Sequence, residues 1–222
     1  MDSADPAFIE ARNNMVDSQV RPNKVNDPRI IAAMRRLPRE RFLPPSLASL
    51  AYADEDVPLG RGRALLEPMV IARLVQLTAV SEGERVLVVA AGPGYGSALL
   101  AACGARVTAL EDDPALLALA RSALGEFAPG VSLVSGPLAA GWPAGAPYDI
   151  ILIEGAVGEI PPVIGEQLRK EAGRLATVCM ASATGGQAVL AEATVAGLRM
   201  QPMFDCTTPL IPGLVSSPGF VF

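Results

Sequence analysis

Apolar residues recur along the chain in two rhythms: short unbroken runs, and stripes at helical spacing. The runs are Val86–Val89, Arg106–Leu110, Val131–Ser135, Tyr148–Ile153 and Gly173–Ala181, most of them bounded by glycine, proline or acidic residues. Runs of that kind read as strands, Tyr148–Ile153 as a buried one. Between them, Ser97–Cys103 (ended by Gly104), Pro114–Leu124 and a segment from Ile160-Pro161 to Arg169 read as helices. Gln187–Thr194 and Leu198–Phe204 read as an antiparallel strand pair at the sheet edge. Alternating strands and helices predict a doubly wound, mostly parallel sheet.

Ahead of the sheet the pattern is helical. Ala7–Val20 sets Phe8, Ala11, Met15 and Val16 on an apolar stripe that Arg21-Pro22-Asn23 stops. A second helix starts after Asp27 with Pro28 in its first turn, covers Ile30, Ile31 and Met34, and closes at Pro38. Ser46 is placed to cap a short turn, Asp54–Gly62 reads as irregular, and Pro68 opens a helix to Thr78. Residues 1–62 are thus expected to form a helical extension packed on a sheet domain at 63–222, a single globular unit. The tail from Pro209 ends Phe220-Val221-Phe222 and is expected to pack.

The stretch Arg85–Asp113 carries the candidate chemistry. It reads strand, Ala90-Ala91-Gly92-Pro93-Gly94, helix, strand, Glu111-Asp112-Asp113. A parallel βαβ unit needs that order. Glycines after the first strand let a ligand approach the backbone. An acid about 20 residues on, at the end of the second strand, can accept both hydroxyls of a ribose. A nucleoside-containing cofactor is expected there. Small residues at Ala90, Gly92 and Gly94 alternate as in S-adenosylmethionine sites more than in the dinucleotide fingerprint, although Gly96 adds a further glycine register. Ligands in such sheets bind at the carboxyl ends of strands, where Ala90–Tyr95, Glu111–Asp113 and Glu154–Val157 come together.

Composition narrows the chemistry. The 222 residues are half apolar and carry a net charge of -5, which argues against nucleic-acid binding through a broad basic surface. Nothing in the sequence is apolar for long enough to span a bilayer, and the start has no secretory pattern, so the cytoplasm is expected. Cys103, Cys179 and Cys206 are scattered and form neither a disulfide framework nor a zinc pattern. Histidine is absent, which removes Ser-His-Asp and Cys-His catalysis and histidine-ligated metal sites. No metal site and no dedicated catalytic residue is expected.

Further motifs carry a family resemblance. They are M-V-D-S-Q-V-R-P (Met15–Pro22), P-R-E-R-F-L-P (Pro38–Pro44), A-L-E-D-D-P (Ala109–Pro114), G-W-P-A-G-A-P-Y-D-I-I-L (Gly141–Leu152) and I-P-P-V-I-G-E-Q-L (Ile160–Leu168). With the glycine unit, the chain resembles bacterial protein-L-isoaspartate O-methyltransferases over nearly its whole length. The resemblance implies the class I methyltransferase fold, a Rossmann-like seven-stranded sheet. It implies S-adenosyl-L-methionine as cofactor and damaged proteins or peptides containing L-isoaspartate as partners, with neither nucleic acid nor membrane. The implied reaction is methyl transfer to the isoaspartyl carboxylate, leading through a succinimide to repair. A carboxylate is already a nucleophile near neutral pH, so alignment can carry most of the catalysis.

On the same resemblance, Ala90, Gly92, Gly94, Tyr95, Glu111, Asp112 and Leu138 bind the cofactor, and Leu66, Glu67, Gly155 and Ala156 line the substrate cleft. The chain also departs from the family's usual pattern. Val88 stands where an acid is usual, Ala90 where a first glycine is usual, and Gly136-Pro137-Leu138 where the loop reads G-D-G. Ala64, Leu66 and Pro68 occupy the T-x-S-x-P register. The alternative reading is therefore a catalytically inactive or repurposed relative that binds a ligand or partner. A nicotinamide-dependent reductase is a third, which the small-residue register argues against.

Overall fold

The computed structural model describes residues 5–182 and 185–214. Its centre is a seven-stranded sheet in the order β5-β4-β3-β6-β7-β8-β9. The strands are β3 (Arg85–Val89), β4 (Arg106–Glu111), β5 (Ser132–Ser135), β6 (Ile150–Val157), β7 (Arg174–Ser182), β8 (Gly185–Thr194) and β9 (Gly197–Asp205). Pairing is parallel from β5 to β7 and antiparallel from β7 to β9. The edge hairpin lies where the sequence places it.

Successive residues of β3 point to opposite faces, as a pleated strand requires. Val86 and Val88 join one apolar cluster, Leu87 and Val89 the other. All four are fully buried, which is why this strand is an unbroken apolar run. The first cluster also takes in α3 (Pro68–Leu77), α4 (Tyr95–Ala102) and the N-terminal helices, through Val20, Met34 and Phe42. The N-terminal helices thus share this cluster with the sheet.

Several elements differ from the sequence expectation. The first helix is α-helical only over Pro6–Met15 (α1); it widens into a π turn at Val16–Val20 and tightens to a 3-10 turn at Arg21–Asn23. The second, α2, runs Pro28–Arg36, with the Asp27 side chain capping Arg29 N–H. The short helical turn at Pro45–Leu50 is 3-10 and has no side-chain cap, so Ser46 lies within it. The segment expected to be irregular contains β1 (Val57–Gly60), which pairs antiparallel with β2 (Arg63–Leu65) through a glycine turn. Acids and glycines in Asp54–Gly62 hide this strand because only Val57 of β1 is buried. The helix expected from Ile160 to Arg169 is a single turn, α6 (Pro162–Gly165). Beyond it, Tyr148 N–H donates to the Gln167 carbonyl and Arg169 N–H donates to the Tyr148 carbonyl, which pulls the chain out of helical geometry.

α5 (Pro114–Phe127) follows the glycine unit, capped by Asp113. β6 does not stop at Ile153 but continues through Glu154–Val157, because Ala156 pairs with Val178 and with the C-terminal segment. That segment, Pro209–Leu214, lies across the carboxyl ends of the strands and buries Ile211 and Leu214. The expectation for Phe220-Val221-Phe222 falls outside the described residues. Among the described residues no helix is long and apolar enough to cross a membrane.

Candidate functional site

β3 ends at Val89 and the chain reverses through Ala90–Gly94 into α4. Ala90, Gly92 and Gly94 take φ values of 59°, 55° and 94°. Gly94 is required twice over: a Cβ there would also lie 2.8 Å from Leu124 Cγ. Ala90 holds its left-handed conformation against a penalty of about 1–2 kcal/mol. The turn is tied to β4, since Ala91 N–H donates to the Leu110 carbonyl at 3.0 Å.

Glu111 ends β4 and has no exposed surface. Its Oε2 accepts from Gly92 N–H at 2.7 Å, and its Oε1 from the amides of Asp112 and Asp113 at 2.9 and 3.0 Å. The remaining partner comes from β2. Arg63 donates to Oε1 from Nη1 at 2.8 Å and to Oε2 from Nη2 at 2.7 Å, and Nη2 also reaches the Ala90 carbonyl at 2.8 Å. This fork-to-fork geometry is the strongest arrangement of a guanidinium and a carboxylate. A carboxylate offers roughly four lone-pair sites, and these donors already exceed them.

Glu154 lies on β6 beside the same crevice and is 5% exposed. Burial pushes its carboxyl up to about 8, against the pull of Arg63 and Arg39. Its Oε2 has no hydrogen-bond partner. Gly96 packs against it: a Cβ there would lie 2.5 Å from that oxygen, so the carboxyl would have to shift.

The free space matches this filling. Leu66, Glu154, Gly155, Thr208 and Ile211 enclose a cavity of only about 10 Å³, room for about one water. Nearer the surface, Arg61, Asp112, Leu138 and Gly213 border a cleft of about 240 Å³. A larger groove, about 560 Å³, lies away from the glycine turn, between the α6 region and the β8–β9 turn. The glycine turn and Glu111 make a backbone frame that suits a nucleoside. As folded, its interior does not admit one, because Arg63 holds the Glu111 carboxylate and Ile211 fills the space over Gly155.

Matching against known proteins identifies the frame. The family model for protein-L-isoaspartate(D-aspartate) O-methyltransferase matches residues 10–190. The chain belongs to that family. The Methylorubrum extorquens (strain PA1) protein-L-isoaspartate O-methyltransferase is 40% identical over 185 residues, spanning 83% of this chain and 80% of the relative. The Methylorubrum populi enzyme of the same name is 39% identical over 180 residues, covering 81% and 84%. A solved protein-L-isoaspartate O-methyltransferase superposes with a TM-score of 0.78 over 92% of this chain and 67% of its own, at 22% identity. A Plasmodium falciparum protein of the same description, solved with S-adenosyl-L-homocysteine, gives 0.75 over 91% and 98%, at 15% identity. The fold is that of the class I methyltransferases. Members of this family are S-adenosylmethionine-dependent O-methyltransferases that act on isoaspartyl-containing proteins.

Within this family frame, the residues expected at the site fall into groups. Ala90, Gly92, Gly94 and Glu111 meet at the glycine turn. Asp112 and Leu138 border the outer cleft, where Gly213 comes over them. Tyr95 turns the other way. It is fully buried, edge-on to Phe42 at 5.3 Å, with the Arg39 guanidinium 4.9 Å over its ring. As the first residue of α4 it faces the N-terminal layer, so only its backbone belongs to the turn. Leu66 is buried, and its carbonyl accepts from the buried Arg39. Glu67 precedes α3 but makes no side-chain cap bond, and burial, with Asp56 and Asp54 nearby, raises its pKa. Gly155 and Ala156 face the chain's own Pro209–Ile211: Ala156 N–H donates to the Pro209 carbonyl at 3.1 Å, and Ile211 N–H to the Ala156 carbonyl at 2.9 Å.

Sequence reasoning missed Arg63 and Arg39, and it placed Glu154 at the ligand edge without giving its side chain a role. Glu154 carried a signal, an acid closing an all-apolar central strand. Arg63 carried none, since nothing in Gly60-Arg61-Gly62-Arg63 tells a solvated arginine from one buried on an acid 48 residues away.

Proposed function

We propose that this chain transfers the methyl group of S-adenosyl-L-methionine to the carboxylate of L-isoaspartyl residues in damaged proteins. The observation that carries this is the glycine turn after β3 set against the buried Glu111 at the end of β4, in a chain that matches its family over residues 10–190. The acceptor is ionised near neutral pH, so the chain need supply no base, which suits a protein without histidine. Ala90, Gly92, Gly94, Glu111, Asp112 and Leu138 are the residues we assign to the cofactor; Leu66, Glu67, Gly155 and Ala156 are those we assign to the acceptor peptide. The free thiols Cys103, Cys179 and Cys206 fit a reducing compartment, and the cytoplasm is the location we propose. The test is transfer of radiolabelled methyl to an isoaspartyl peptide, with the matching aspartyl peptide as control. Label on the isoaspartyl peptide alone supports the assignment; no label on either refutes it.

A second reading, a relative that binds a partner without catalysing, is favoured by the saturation of Glu111 by Arg63. It predicts a folded protein that S-adenosylhomocysteine neither binds nor stabilises against heat.

A further inference from the structure

Arg63 reaches the crevice from β2, over the carboxyl ends of β3 and β4, and its side chain is 7% exposed. A buried charge needs a reason to be there. The Glu111 carboxylate supplies the charge balance, and the Ala90 carbonyl satisfies a further N–H. These are the polar groups that a ribose diol and the approaching end of a nucleoside would otherwise meet. The guanidinium therefore occupies, in space and in hydrogen bonding, the position of a ligand. Ile211 completes the closure above Gly155, with its backbone clamped to Ala156.

We propose that Arg63 is an internal occupant of the ribose position, and that a nucleoside cofactor enters only after Arg63 leaves Glu111. A place for it to go is already present. Asp112 Oδ1 lies 3.7 Å from Arg63 Nη1 and its side chain is 45% exposed, so the same guanidinium can turn outward and keep a carboxylate partner. At the mouth, Arg61 is paired with Asp113 at 3.2 Å and leaves Asp112 available. The apparent affinity for cofactor is then the intrinsic affinity multiplied by the fraction of molecules with Arg63 swung out. Arg63 sets when the crevice accepts a ligand, and contributes nothing to the reaction once it is open.

This proposal rests on the methyltransferase reading, and one titration separates the two. The full chain and its Arg63→Gln variant are titrated calorimetrically with S-adenosylhomocysteine, with a thermal melt confirming that each is folded. Glutamine is too short to span both oxygens of Glu111 and carries no charge. The expected result is at least tenfold tighter binding by Arg63→Gln than by the native chain. Equal affinities overturn the internal occupant and leave the cofactor reading standing. Weaker binding by the variant also overturns it, because Arg63 would then be a cofactor contact. No binding by either folded protein overturns both. If Arg63→Gln does not fold, Arg63→Lys keeps the charge but gives up the two-pronged geometry, and tighter binding than the native chain is again the expected result.

Discussion

A methyl group placed on Gly155 would lie 2.7 Å from Cγ1 of Ile211. Gly155 also has φ 150°, where residues with a Cβ are strained. Gly155→Ala therefore meets two penalties, and the C-terminal segment is the softer neighbour. We expect a loss of about 1–3 kcal/mol, the usual cost of overpacking. For a domain of this size that lowers Tm by roughly 2–4 °C per kcal/mol. Hydrogen exchange at Ile211 N–H, which is bonded to the Ala156 carbonyl, should quicken. An unchanged melt and unchanged protection would show that the tail does not seat against Gly155.

Ala90 gives the opposite sign. It sits at φ 59° with its Cβ in place. Ala90→Gly removes the left-handed penalty of about 1–2 kcal/mol and loses part of it again to the greater freedom of glycine when unfolded. The net expectation is a stabilisation of up to about 1 kcal/mol, read by urea denaturation with an unchanged m-value. Destabilisation would mean that the Ala90 methyl packs better than its conformation costs.

The sheet, its doubly wound order and its antiparallel edge were legible because buried parallel strands are continuous apolar runs, Val86–Val89 above all. The turn at Ala90–Gly94 and the acid at Glu111 were legible because small residues and a strand-ending acid occupy fixed offsets. The state of the site was not. Whether Glu111 faces a ligand or Arg63 depends on β2 crossing from a distant part of the chain, and no local pattern records such a long-range pairing. Likewise the helix after Ile160 failed beyond one turn because Tyr148 takes up the Gln167 carbonyl and the Arg169 N–H. β1 escaped notice because a two-stranded hairpin with one buried side chain has almost no alternation to detect.

The N-terminal layer should prove inseparable from the sheet. Arg39 is fully buried, donates to the carbonyls of Ala51 and Leu66, and lies over the Tyr95 ring. Arg39→Ala leaves both carbonyls without their donor and opens a cavity over the Tyr95 ring. We expect a loss of about 3 kcal/mol or more, combining cavity and unsatisfied polar terms. A chain beginning at residue 63 exposes Val70, Leu74 and Leu99 and should not fold cooperatively. A sharp melting transition from that truncated chain would instead make residues 1–62 a dispensable extension.

Glu154 should make stability depend on pH. Burial raises its folded-state value from 4.5 to about 8, with Arg63 and Arg39 drawing it down and Glu111 pushing it up. The folded chain therefore holds a proton here that the unfolded chain has released between about pH 4.5 and pH 8. Fewer protons on the unfolded state means that stability falls as pH rises, by at most about 1.4 kcal/mol per pH unit from this one group. The contribution is intact below the unfolded value, declines through the window, and is level again above about 8. Glu154→Gln keeps the shape of the neutral form and cannot ionise. Its stability relative to the native chain should rise steadily from pH 5 to pH 8 in urea titrations, then stop rising. A difference that stays flat across that range would mean that Glu154 is ionised in the folded protein throughout, with Arg63 shared between Glu111 and Glu154.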